Sequence, residues 1–100
     1  MYSKGDIVII QFPFSDLINA KRRPMVVLAV KGEDVVGCAI TSNPDSDGVA
    51  LPSELLPLPS KIKYWQIHTF LDSLILKKVA KLPTKTHKEL IEKINTFFSI

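Results

Sequence analysis

Two runs of strand length stand close together near the start of the chain. Ile7 to Phe12 and Met25 to Val30 are rich in β-branched and other apolar residues, and runs of this kind read as buried strands. They commit the first third of the chain to a sheet. Between them lies a broken, polar stretch from Pro13 to Lys21, read as an exposed loop, that ends in three adjacent cations, Lys21, Arg22 and Arg23. Pro24 holds Arg23 extended and fixes its own φ, which mounts the Arg23 guanidinium where a mobile loop becomes a rigid strand. A cation on a rigid element costs less to order around a ligand. The plainer reading of the same residues is a solvated basic loop that leads into a core strand.

Further along, Lys31-Gly32-Glu33-Asp34 is a turn signal and Val35 to Thr41 another strand, which makes a β-hairpin with the run before it. A polar loop from Ser42 to Gly48 follows, then a short edge strand near Val49 to Leu51. Pro52, Pro57 and Pro59 exclude a long helix there, leaving room for one helical turn at Ser53 to Leu56. In the strand from Lys61 to Phe70 the apolar parity changes between Ile62 and Trp65, a sign of a bulge or a change of sheet. Gln66 and His68, two apart, share a face. Leu74 to Leu82 is a further strand, closed by Pro83. The last element is a helix: Thr86 and Glu89 have the spacing of a capping box, and Leu90, Ile91, Ile94, Phe97 and Phe98 form a stripe expected to pack on the core. Short strands and one terminal helix describe a single domain over residues 1–100, a small, mostly antiparallel β barrel with a C-terminal α-helix on it.

Composition sets the boundaries of function. An apolar share of 46% and a charged share of 23% suit a globular domain. Cys38 is the only cysteine, so no intrachain disulfide and no cysteine-based metal cluster can form. No signal peptide and no membrane span is visible, so a cytoplasmic protein without membrane contact is expected. The net charge of +3 is uneven: residues 61–100 hold eight lysines against Asp72, Glu89 and Glu92. A basic half points to a polyanion or an acidic protein partner, or serves solubility alone.

Most catalytic templates fail on these residues. The four glycines are spread out, which excludes a phosphate-binding glycine loop, and His68 and His87 lack the spacing of a metal site. Cys38, within an apolar strand, is most simply a buried small side chain. Polar groups at strand ends remain: Arg23, Thr41, Gln66 and His68. Arginine's planar fork makes paired, charge-assisted hydrogen bonds to phosphate, and threonine and glutamine supply neutral donors that complete such a pocket.

Three ordered segments resemble the MazF/PemK (Kid-type) toxins of type II toxin–antitoxin systems. They are Gly5-Asp6-Ile7-Val8 with Phe12-Pro13-Phe14-Ser15-Asp16 and Lys21 to Leu28; Cys38-Ala39-Ile40-Thr41-Ser42; and Gln66-Ile67-His68-Thr69 with Ile75 to Leu82. The likeness spans nearly the whole chain. It implies an SH3-like barrel that forms a homodimer, needs no cofactor or metal, and cuts single-stranded RNA. In that chemistry the ribose 2′-OH attacks the adjacent phosphorus and leaves a 2′,3′-cyclic phosphate and a 5′-OH. By the same resemblance Arg23 is the catalytic arginine, for charge stabilisation and candidate proton donation, and Thr41 a hydrogen-bond donor to the scissile phosphate. Lys21, Arg22, Ser42, Lys61, Lys63 and Gln66 are the corresponding candidates for holding RNA. An acidic, partly disordered antitoxin is the implied protein partner, and any contact with operator DNA passes through it. Some relatives use a carboxylate as base near the third segment; here Trp65 stands near that place. His68 is the candidate substitute, histidine being the side chain that exchanges protons near neutral pH, with a purely structural histidine as the alternative. The loop from Phe14 to Lys21 also has fewer glycines than in many relatives.

Two other classes of function fit the same residues. One is a barrel that binds nucleic acid or an acidic antitoxin-like peptide without cleaving, favoured by the missing carboxylate. The other is an interaction barrel whose basic half only assists assembly.

Overall fold

The computed structural model describes residues 1–12 and 21–99, with backbone alone at Phe12 and Lys21. The loop expected at Pro13 to Lys21 therefore lies, apart from Lys21, outside the described residues. Among the described residues six strands and one α-helix follow in order: β1 Asp6–Phe12, β2 Lys21–Lys31, β3 Asp34–Thr41, β4 Val49–Ala50, β5 Lys61–Leu71, β6 Ile75–Lys81 and α1 Thr84–Phe98. The strands form one antiparallel sheet in the order β4-β5-β3-β2-β1-β6. The expected mostly β fold with a terminal helix is present. The sheet does not close into a complete barrel, because β4 and β6 remain its two edges.

Both faces of this sheet are covered, which explains the near-continuous apolar runs. Ile7, Val26 and Cys38 belong to one buried cluster, shared with Leu82 and Leu90. Their chain neighbours Val8, Met25 and Val27 belong to the other, with Ile10, Val35, Phe70 and Ile75. Successive side chains of a strand point to opposite faces, so a strand buried on both faces cannot alternate with polar residues.

Several boundaries differ from those expected. β2 does not begin at Met25 but at Lys21, since its first residues pair with β1 from Phe12 to Ile9, across Pro24. Arg23 thus stands inside a strand rather than at its start. The hairpin between β2 and β3 turns on Gly32, whose φ of 60° suits the first central position of a type II′ turn. Ser53 to Leu56 makes only a turn, with Leu55 N–H donating to the Pro52 carbonyl. A 3-10 turn at Asp72–Leu74 leads into β6.

The helix starts two residues before Thr86, with Pro83 at its N-cap and no side-chain cap hydrogen bond. Thr86 is instead buried under the first turn, so the capping box does not form. Leu90 is fully buried, and Ile91 and Ile94 are half-buried. Phe97 and Phe98 remain 54% and 57% exposed, so the stripe packs on the core over its first part only. The parity change in β5 is a wide bulge: two steps along β3, Cys38 to Ile40, correspond to five along β5, Ile67 to Ile62. Residues 63–66 are left opposite Ala39 alone.

Asp6 anchors the start of the sheet. Its carboxylate, 1% exposed, accepts from Ser3 N–H at 2.9 Å and lies 3.1 Å from Lys78 Nζ and 3.4 Å from Lys81 Nζ. Burial alone would raise the Asp6 carboxyl, but the Ser3 amide and the two ammonium groups outweigh it and hold it below the usual carboxylate value.

Candidate active site

Arg23, Thr41 and His68 come from three neighbouring strands and line one cleft of about 310 Å³. Strand alternation explains the meeting. Arg23 and Met25 on β2, and Ala39 and Thr41 on β3, are two apart and face the same side, and Met25 pairs directly with Ala39. Met25 and Ala39 form the apolar floor where the second core cluster ends. Arg23 and Thr41 stand beyond that floor. On β5, Gln66 and His68 are exposed and share the cleft with Lys63. Lys63 and Gln66 belong to the bulged segment, which re-aims side chains that a regular strand would place elsewhere.

Two further cavities adjoin the cleft. One, of about 370 Å³, is lined by Arg22, Arg23, Thr41 and Ser42 together with Ile9 and Leu56 to Leu58. The other, of about 470 Å³, runs from Thr41 and Ser42 past Pro44, Leu51 and Leu58 to Lys61. Thr41 lines all three, so the cavities meet around this residue. Thr41 Oγ1 accepts a hydrogen bond from Asn43 N–H at 3.1 Å, which leaves the hydroxyl hydrogen to be donated elsewhere.

The anticipated site residues therefore divide into groups. Arg23, Thr41, His68, Lys63 and Gln66 share the cleft, and Arg22 and Ser42 border it. Lys61 lies along the neighbouring cavity, with its ammonium donating to the carbonyls of Pro44 and Ser46 at 3.1 and 2.8 Å. The Lys21 side chain lies outside the described ones. Among the described residues no three His, Cys, Asp or Glu side chains gather as a metal-ligand set. Cys38 is buried, and burial pushes its thiol up to about 12, which keeps it out of nucleophilic chemistry.

Sequence reasoning missed the walls and the supports of this site. Pro44, Leu51, Leu58 and Pro59 shape the largest of the adjoining cavities, and Asp47 receives the Tyr64 hydroxyl at 2.9 Å. The turn residues from Asn43 to Gly48 announced a loop. Nothing in their spacing announced that a lysine and a tyrosine of β5 would hold it.

Cationic, hydroxyl, amide and imidazole groups around one open cleft are what recognition of a phosphodiester requires. Comparison with known proteins gives the arrangement its context. A family model described as PemK-like, MazF-like toxin of type II toxin–antitoxin system matches residues 3–98. No curated protein sequence matches the chain at a significant level. Among solved structures, a MazE–MazF crystal structure from Deinococcus radiodurans superposes with a TM-score of 0.86 at 18% identity, covering 99% of this chain and 96% of the other. A crystal structure of MazF from the same organism gives 0.78 at 21% identity, covering 99% and 97%. An endoribonuclease in complex with its cognate antitoxin, from Mycobacterial species, gives 0.78 at 14% identity, covering 96% and 93%. At such identities the superpositions carry the fold, and the family assignment rests on the model match across nearly the entire chain. The chain belongs to the PemK-like, MazF-like toxins of type II toxin–antitoxin systems.

Proposed function

We propose that this toxin is a metal-independent endoribonuclease that cuts single-stranded RNA at selected sequences and that an acidic antitoxin holds in check. The observation that carries the reading is the meeting of Arg23, Thr41 and His68 in one open cleft beside Lys63 and Gln66. The structural relative that is an endoribonuclease in complex with its cognate antitoxin supports both activity and partner.

The chemistry is an internal transesterification. His68 takes the proton of the ribose 2′-OH, whose oxygen bonds to the adjacent phosphorus while the bond to the 5′-oxygen breaks. Arg23 meets the charge that accumulates on the phosphorane oxygens, and Thr41 donates its free hydroxyl hydrogen to one of them. The departing 5′-oxygen takes a proton from Arg23 or from water, and the products end in a 2′,3′-cyclic phosphate and a 5′-OH. Lys63, Gln66, Arg22 and Ser42 hold the strand on either side. The protein works as a homodimer, and the antitoxin's acidic segment competes with RNA for the same positive cleft.

The test is incubation of the purified protein with long RNA in excess EDTA, with end-group analysis of the fragments. The expected result is cleavage at a recurring sequence, with cyclic phosphate ends and no cutting of a substrate that carries 2′-deoxyribose at that site. Normal cutting of the deoxy substrate would overturn the mechanism. RNA that is bound but left whole would favour the non-cleaving barrel.

A further inference from the structure

Lys61 and Lys63 both stand on β5 near the site, yet their ammonium groups do different things. Thr41 is the last residue of β3, and Lys61 is its partner across the ladder. Beyond Thr41 the chain leaves the sheet and returns only at Val49. Lys61 reaches into that excursion and donates to the carbonyls of Pro44 and Ser46, so two of its three protons serve the loop. Tyr64 fastens the loop a second time, its hydroxyl donating to Asp47 Oδ2 at 2.9 Å while Asp47 Oδ1 accepts from Gly48 N–H at 2.8 Å. At this return Gly48 has a φ of 148°, and a Cβ there would lie 2.6 Å from the Ile62 carbonyl oxygen, so the loop lies directly on β5.

What the two fastenings hold is the environment of the Thr41 hydroxyl. Asn43 N–H donates to Thr41 Oγ1, the Asn43 carbonyl accepts from Ser46 N–H at 3.2 Å, and the Asn43 side chain accepts from Asp45 N–H at 3.0 Å. With Asn43 held, turning the hydroxyl away from the cleft breaks its bond to the Asn43 amide. We propose that Lys61 and Tyr64 are positioning residues that clamp the loop from Asn43 to Gly48 onto β5 and so aim the Thr41 hydroxyl hydrogen at the bound phosphate. This inference rests on the reading of the protein as a ribonuclease and deepens it. It separates Lys61, which acts through Thr41, from Lys63, which faces the strand itself.

Lys61→Met keeps the aliphatic stem and removes the donors, and Tyr64→Phe removes only the hydroxyl. Both should bind an uncleavable 2′-deoxy RNA within about twofold of the wild type with the same salt dependence, because no phosphate contact is lost. Their kcat should fall tenfold to a hundredfold, roughly the effect of a misplaced catalytic group. Neither should slow Thr41→Ala further, since the group they aim is already absent. Lys61→Arg should recover part of the lost rate. Independently of activity, the Asn43 and Ser46 amides should exchange hydrogen faster in Lys61→Met than in the wild type.

Weakened binding, a flattened salt dependence and an intact kcat in Lys61→Met would make it a phosphate ligand and overturn the proposal. So would losses that simply multiply with that of Thr41→Ala. If the wild type cuts no RNA, the ribonuclease reading fails instead, and amide exchange still decides whether the clamp exists.

Discussion

At the level of single side chains, Arg23 and Lys63 share a cleft, and the proposed mechanism gives their charges different moments to act. A preorganised donor to a developing oxyanion is worth roughly 10²–10³ in rate. Arg23→Ala and Thr41→Ala should therefore fold, bind uncleavable RNA, and lose about that factor in cleavage and with it toxicity in cells. Lys63→Ala should weaken binding, lower its salt dependence by about one ion, and leave the maximal rate nearly unchanged. Filter binding over a salt series and single-turnover kinetics separate the two patterns. Asp6 gives a different kind of prediction. Its folded carboxyl is held below the unfolded value of about 3.9, so its contribution is present above that pH and is lost as the pH falls through the folded value. Asp6→Asn should cost roughly 1.5–3 kcal/mol at neutral pH, the range of charge-assisted hydrogen bonds, and should reduce the loss of stability below about pH 4. Urea unfolding at pH 7 and pH 3 measures both effects.

Among the elements, α1 is stabilised at one end and bare at the other. Leu90 is fully buried among Ile7, Val26 and Leu82, so Leu90→Ala should cost about 2–5 kcal/mol in urea unfolding. Phe97 meets the Tyr64 and Phe98 rings edge to face, at centroid distances of 6.0 and 5.1 Å, and stays 54% exposed. Phe97→Ala should cost about 1 kcal/mol or less in the monomer. The helix also shows where sequence reasoning stops. Its periodicity identified the apolar face, because spacing is a local property, but not how far along that face the sheet reaches. The supposed cap failed because the helix starts at Thr84, which places Thr86 within the first turn, buried, rather than at the cap. β2 was underestimated because Pro24 lacks an N–H and its cations look like loop residues, while pairing with β1 carries the ladder through them. The bulge in β5 was legible as a broken parity, though not its width. The cleft was legible as a set of polar residues, though only Thr41 ends a strand as expected, Arg23 lying inside β2 and Gln66 and His68 inside β5; the Lys61 and Tyr64 supports were not legible, since they join residues 15 to 17 apart through side chains alone.

For the molecule as a whole, the expectation is a dimer. Leu58, Phe97 and Phe98 are exposed, whereas Leu55 and Leu56 pack partly against the core. Sedimentation at micromolar concentration should give about twice the 11.2 kDa of one chain, and a purely monomeric species would refute this. The β6 edge is poorly shaped to carry such an association by strand pairing. One step along β1 corresponds to two along β6 at Ile7/Val8 and again at Ile9/Ile10, and the two unpaired residues, Val79 and Leu76, are exposed. An incoming strand would meet a template interrupted twice within seven residues, with Lys77, Lys78 and Lys81 beside it. Edges of that shape resist stacking into cross-β fibrils. The kinks that fit β6 to the end of the sheet thus also protect the chain from amyloid growth when many copies accumulate together.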